Sequence, residues 1–366
     1  MHRIHLTYKL FIGVLVTIFL NSCSKDIGSG LNVDDSDTGI PVTFTASIDK
    51  KISSRFAASD VMTEFYVYAF SGSSTKARNI KYTWDGSGWV STGRVNWPRN
   101  EISFYGLSRS FANGDEISNS NMSDEEQYFD YTVSPDNPKN LFFASKLNTT
   151  SSAQGGNVHL DFVYALAYPY FTCVQGIDDV RIIINEIIVH NLKTTGTLTF
   201  STTNDSEAKW TLIDGLYGDY KQVLETPVEL NPNQRTAVTI SQPWIWMPQR
   251  PDGWETEPGA PVTIQEADAL HQCYVEIKCQ IIKDGNYLWG AASGENEYES
   301  VYYPFDTNFR TRGYQRAIKL SFTGGYLEDG TPWKPRSGAA ITIASWITID
   351  TLVNPWEEMD PEDLIF

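Results

Sequence analysis

Histidines, thiols, acids and aromatic rings are the side chains here that could do chemistry, and their spacing argues against most of it. The sequence holds 5 His, 4 Cys, 45 acidic residues, 11 Trp and 19 Tyr among 366 residues. His159, His190 and His271 stand far apart, each in a strand-like run, and read as structural residues rather than a catalytic or metal-binding set. No Gly-x-Ser-x-Gly elbow, His-Glu-x-x-His pair or phosphate-binding glycine loop occurs. Asp34, Asp35 and Asp37 lack the glycine and terminal Glu of a calcium loop, and no Cys/His spacing fits a structural zinc site. Carboxylate pairs of the kind used in glycoside hydrolysis stay open, because so many acids pair by chance. No catalytic residue, cofactor or metal is expected.

Cys273 and Cys279 fall in one alternating run, HQCYVEIKCQII. At about 3.3 Å per residue they lie roughly 20 Å apart, beyond the ~7 Å that a disulfide allows between Cα atoms. Both share the face of Val275 and Ile277, which predicts buried free thiols. A bridge from Cys173 to one of them is the alternative. Exposed rings can stack on sugars, and Trp244, Trp246, Trp289 and Trp333 are the candidates for a ligand face. The competing reading packs them in a core, where β-sandwiches use aromatics heavily. Trp84, Trp89 and Trp97 read as turn-packing residues.

Cys23 has a different setting. Arg3 and Lys9 give a basic start, and residues 10–20 (LFIGVLVTIFL) are almost wholly apolar. As a helix this run is about 16 Å long, short of the ~20 residues of a spanning helix. Residues 1–22 have the layout of a secretory signal peptide. Leu20-Asn21-Ser22-Cys23 resembles a lipobox, where cleavage precedes lipid attachment to the cysteine. Two or more acyl chains on Cys23 would anchor the chain stably in a membrane. An ordinary cleaved signal beside a chance cysteine is the alternative. Residues 23–40, rich in Ser, Gly and Asp, read as a flexible tether.

The net charge is −17, and removing residues 1–22 takes away Arg3 and Lys9 but no acid. Without a basic stripe, nucleic-acid binding is excluded, and docking on an anionic membrane surface is disfavoured. Beyond residue 40 the dominant hydrophobic period is two, with abundant β-branched and aromatic residues. Strands are predicted at 42–48, 64–70, 80–84, 89–91, 102–107, 141–145, 158–162 and 168–174, the last closing a first unit. A second series covers 181–191, 196–201, 236–240, 244–247, 273–282, 317–322 and 341–353. Asp85-Gly86-Ser87-Gly88 and Lys283-Asp284-Gly285-Asn286 read as hairpin turns. Many short strands between turn signals predict an all-β chain of sandwiches. The boundary falls near 174–179, giving an N-terminal domain at 41–175 and a C-terminal domain at 176–366 that ends in an acidic tail.

In this order the segments resemble the fimbrillin-like proteins of Bacteroides-type bacteria, subunits and relatives of type V pili. The matching pieces are a first strand followed by Lys50-Lys51-Ile52-Ser53-Ser54-Arg55, then Glu64-Phe65-Tyr66-Val67-Tyr68-Ala69-Phe70, and Asn96-Trp97-Pro98 ahead of the aromatic run 102–108. Phe162-Val163-Tyr164-Ala165-Leu166 stands where the family usually reads Phe-x-His-Ala-Leu, with Tyr164 in place of His. Residues 184–197 and Trp246-Met247-Pro248-Gln249 complete the set. Ser24-Lys25-Asp26 resembles the export tags of surface lipoproteins. The resemblance implies two tandem transthyretin-like β-sandwich domains and a place on the cell outer membrane or in a fimbrium. It also implies a protease cut at Arg55 that frees the strand carrying Val42, Phe44, Ala46 and Ile48, so that other pilin subunits can add a strand in its place. Stalk, tip and anchor roles stay open. The alternative function is a surface lipoprotein binding a glycan or a host protein on the same scaffold.

Overall fold

The computed structural model describes residues 37–48, 62–91, 93–111, 117–255, 262–295, 297–306, 308, 312, 315–322 and 327–331. The signal segment, most of the tether, Arg55, the strands predicted at 341–353 and the acidic tail lie outside these residues. Within them the chain is almost entirely β. The first strands are β1 (Asp37–Pro41), β2 (Thr43–Ile48), β3 (Glu64–Ser71), β4 (Ser74–Trp84), β5 (Trp89–Val90), β6 (Asn96–Pro98) and β7 (Ile102–Leu107). There follow β8 (Ile117–Met122), β9 (Gln127–Thr132), β10 (Phe142–Thr149), the short helix α1 (Ser151–Gln154), β11 (Asn157–Tyr164), β12 (Tyr168–Gln175), β13 (Val180–Lys193) and β14 (Thr195–Phe200). The rest are β15 (Ala208–Leu212), β16 (Tyr217–Leu230), β17 (Val238–Thr239), α2 (Ile264–Ala269), β18 (Tyr274–Lys283), β19 (Asn286–Trp289), β20 (Glu299–Pro304) and β21 (Gln315–Phe322).

A seven-stranded sheet runs β2-β11-β10-β7-β3-β4-β5. Its central strands are apolar on both faces, so β3 reads as the continuous run Phe65 to Phe70, all buried. One face packs on itself: Phe65 lies 5.3 Å from Phe162 and 5.2 Å from Tyr82, and Trp97 meets Phe104 at 5.8 Å. For this the sheet curls, bringing β2 close to β5. The other face is covered by a four-stranded sheet, β15-β14-β9-β8. There Phe200 sits 5.1 Å from Tyr105 and 5.6 Å from Phe143.

The second half holds a five-stranded sheet built on β16-β13-β18-β19, with β20 also paired to β18, and a three-stranded sheet β17-β12-β21. They meet where Tyr303 of β20 lies 6.0 Å from Phe322 of β21. The β18–β19 hairpin turns on Asp284 and Gly285, both at positive φ (50° and 76°), the geometry of a two-residue turn that follows strand twist. At the other predicted turn, the Asp85 carboxylate accepts from the backbone N–H groups of Ser87 and Gly88.

Several strands pair differently from the sequence reading. Residues 168–174 do not close the first unit: β12 runs parallel to β21 in a continuous eight-residue register and antiparallel to β17. Strand β14 pairs with β9 across the 175/176 divide, Leu198 opposite Phe129. Nothing local in either strand encodes a partner more than 60 residues away. Residues 244–247 form no strand, only the single bridge Trp246–Ala167, because Pro243 and Pro248 flank them and cannot donate to a ladder. Strands β1, β6, β8, β9, β15, β16, β19 and β20 were not foreseen: the end of the expected tether, from Asp37, is strand β1, paired with β6, and β16, with a largely polar, half-exposed pattern, carries little hydrophobic alternation to read.

Candidate strand-exchange edge

Among the described residues, strand β2 lies at the rim of the seven-stranded sheet, with β11 as its only partner strand. The pairing is parallel and unbroken, from Thr43 opposite Asn157 to Ile48 opposite Phe162. Alternation sends Phe44, Ala46 and Ile48 toward the core and Thr43, Thr45 and Ser47 away from it. Val42 and Phe44 are 6% and 5% exposed; Ala46 and Ile48 are half-buried against the core. The Phe44 ring stands 4.9 Å from Tyr82, 5.4 Å from Phe104 and 6.4 Å from Phe65, edge-on to each. It is the anchor of the strand.

The outward side chains form a polar zipper with β11. Thr43 donates through Oγ1 to Asn157 Oδ1 (3.0 Å), and Asn157 Nδ2 donates to Thr45 Oγ1 (3.1 Å). Thr45 Oγ1 and Ser47 Oγ lie 2.9 and 3.2 Å from the two nitrogens of His159, and Ser47 donates to Asp161 Oδ1 at 2.7 Å. These bonds are exposed, so each adds little net stability, but together they fix the register.

Strand β1, antiparallel to β6, braces the entry to this edge. Lys76 Nζ lies 2.9 Å from Asp37 Oδ1, with side chains only 4% and 12% exposed. The backbone N–H of Val42 donates to the Val95 carbonyl, and Trp97 Nε1 donates to that of Gly156 (3.2 Å). Beyond Ile48 the chain enters residues 49–61, which include Arg55 and rejoin the described residues at Met62 just before β3.

Of the other predicted site residues, Trp244 and Trp246 meet at 5.2 Å, but inside the core rather than on a ligand face. Trp246 is fully buried among Tyr220, Trp244, Phe171 and Phe305, at centroid distances of 5.2 to 6.3 Å. A ring enclosed on this many sides offers no face to a ligand, so Trp246 is a core residue. Trp244 and Trp289, the latter half-buried on β19, both pack against the same core. Cys23 and Trp333 lie outside the described residues. Cys173, Cys273 and Cys279 are free, fully buried thiols, and burial pushes the Cys173 thiol up to about 12.

Sequence reading missed a charged cluster on the outer face of the five-stranded sheet. His190 of β13 is held between Asp219 of β16 (Nδ1 to Oδ2, 3.2 Å) and Glu276 of β18 (Nε2 to Oε2, 2.9 Å), and stacks on Tyr274 at 4.5 Å. Burial alone would lower the imidazole pKa; the two carboxylates outweigh it and push it up to about 9. Ser300 donates to the other oxygen of Glu276, and the Tyr274 hydroxyl donates to Asp268 of α2. With both ring nitrogens committed to carboxylates, the imidazolium has no lone pair left to take a proton from a substrate. Its partners lie 29 and 86 residues away in the chain, which no local pattern reveals. Among the described residues no group of three or more His, Cys, Asp or Glu could hold a metal ion.

No protein-family model and no curated protein sequence matches this chain. Its fold is that of a bacterial fimbrial protein. One similar structure is a fimbrial protein from Bacteroides vulgatus, 12% identical, with a TM-score of 0.57 over 86% of this chain and 99% of that one. The fimbrial anchor protein Mfa2 from Porphyromonas gingivalis also aligns, at 8% identity and a TM-score of 0.34, over 85% and 99% of the two chains. At 12% identity, what is shared with the Bacteroides vulgatus protein is the fold.

Proposed function

We propose that this protein is a cell-surface fimbrial subunit or anchor of the fimbrillin-like family, tethered to the outer membrane through lipid on Cys23 and serving adhesion. It joins neighbouring pilin subunits by strand exchange at the β2 edge. The observation that carries this reading is β2 itself: a short rim strand with one hydrogen-bonded neighbour strand among the described residues, a single aromatic anchor at Phe44, and a connection containing Arg55 on its far side. Cutting that connection leaves β2, together with the Cys23 tether that precedes it, held to the rest of the chain only by non-covalent contacts, so loss of the strand also frees the subunit from its lipid. A strand of like pattern from another subunit then gains the same backbone ladder on β11 and the same aromatic pocket. The shared fold with a fimbrial protein supports the reading.

The test is limited digestion with a trypsin-like protease, followed by incubation with a labelled synthetic peptide spanning residues 37–55. Cleavage at Arg55 by mass spectrometry and uptake of the peptide only after cleavage are expected. An intact Arg55 bond while other loops are cut, or a nicked protein that never exchanges the peptide, would refute strand exchange at this edge.

A further inference from the structure

A strand that replaces β2 must match more than the apolar pocket beneath it. On the outer face β11 presents Asn157, His159 and Asp161 at alternate positions, opposite Thr43, Thr45 and Ser47 in the parallel register. Each proton in this ladder has one place to go. Ser47 gives its hydroxyl proton to Asp161 Oδ1 at 2.7 Å, so toward His159 Nε2, 3.2 Å away, Ser47 Oγ is the acceptor. The same nitrogen lies 3.0 Å from Asp161 Oδ1. In the neutral ring it therefore carries the proton, and Nδ1 accepts from Thr45 at 2.9 Å. Thr45 Oγ1 in turn accepts from Asn157 Nδ2 (3.1 Å), and Asn157 Oδ1 accepts from Thr43 (3.0 Å).

The bonds thus run one way, from Thr43 to Asp161. At Thr45 and Ser47 a single atom both gives and takes a proton, which among side chains is the property of a hydroxyl. Val and Ala do neither, an ionised Asp or Glu only accepts, and Lys only donates. A carboxylate at the Ser47 position would also stand against Asp161, and like charges set face to face are a means of rejecting wrong partners. The hydroxyls recur at every second residue, so a strand slipped by one position loses the ladder together with the Phe44 pocket.

We infer that Asn157, His159 and Asp161 are specificity-determining residues of the β2 edge. They select, from another pilin subunit, a strand that runs parallel to β11 with Ser or Thr, and no acid, at its alternate outward positions. The selection rests on strand exchange at β2 and adds to it the chemistry of the partner. The inward Phe44, Ala46 and Ile48 set how firmly a strand is held; the outward ladder sets which strand it is.

Competition on the protease-nicked mature chain tests this. Unlabelled peptides spanning residues 37–55 compete with the labelled native peptide, either as the native sequence, as Thr43→Val/Thr45→Val/Ser47→Ala, or as Ser47→Asp. Each exposed bond is worth a factor of a few, so the hydroxyl-free peptide should compete about tenfold more weakly than the native one. Ser47→Asp should also compete about tenfold more weakly, through charge. In an Asp161→Lys chain the ranking should reverse, with Ser47→Asp taken up in preference to the native peptide. The Asp161 side chain is 70% exposed, so this variant should keep its melting temperature. Equal competition by the native and hydroxyl-free peptides, or no reversal in Asp161→Lys, would overturn the inference and leave strand exchange standing. A native peptide that never exchanges would refute strand exchange itself, and the inference with it.

Discussion

At the residue scale, two side chains concentrate the physical argument. Phe44 closes the core under the rim strand, and truncating a buried Phe to Ala typically costs about 3–5 kcal/mol. Phe44→Ala should therefore lower stability by about 3 kcal/mol and loosen β2 first; hydrogen exchange on β11 amides checks the order of events. An unchanged urea midpoint would mean Phe44 is no anchor. His190 gives a pH signature. Its folded pKa is raised, so its contribution is fully present below its ordinary value near 6.5 and is lost as pH rises through about 9. Asp219 and Glu276 are lowered by their bonds to His190, against the opposing effect of burial. Their contribution is present above the ordinary carboxylate range and lost as pH falls. The cluster thus contributes most between roughly pH 5 and 6.5. Between pH 6.5 and 9 it should shed on the order of 2–3 kcal/mol. His190→Gln should flatten the chemical-denaturation stability profile over that interval, and a profile as steep as that of the unmodified chain would contradict the clamp.

At the element scale, the alternation at 42–48 was legible because one face of β2 is buried and one is wet, the condition that imprints period two on a sequence. The neighbours of β2 were not legible. Backbone pairing is indifferent to side-chain identity, so the parallel match with β11 leaves no mark beyond the alternation of each strand. Close packing behind this pair is equally silent. A Cβ added at Gly106 of β7 would come within 2.8 Å of the Phe162 ring and 3.2 Å of Leu160 on β11. Gly106→Ala should destabilise by about 1–3 kcal/mol through overpacking. Combined with Phe162→Leu, which frees ring volume, part of that loss should return; equal losses with and without the second change would place the clash elsewhere.

For the whole molecule, the ladders tie the two halves of the sequence together. Strand β9 of the first half pairs with β14 of the second, and Phe200 of β14 fills the space between Tyr105, Phe129 and Phe143. A fragment ending at residue 175 would leave β9 with β8 as its one remaining partner among the described strands and would expose this aromatic face. Expressed alone, residues 37–175 should lack a cooperative thermal transition and bind a hydrophobic dye, whereas a fragment extended to residue 213 should regain the transition. A well-folded short fragment would show that the shared sheet is dispensable.

By itself the sequence determined the class of structure and the faces of its main strands: period two and turn residues such as Asp284-Gly285 depend on neighbours only a few positions away. It also sufficed to place Cys273 and Cys279 on a buried face, since strand geometry alone separates them. Only the tertiary structure decided which strand lies at the rim, that Trp246 is enclosed rather than displayed, and that His190 meets two distant acids. Each of those depends on contacts between residues tens of positions apart, and chain closure over such distances is set by the packing of the whole core rather than by any local pattern.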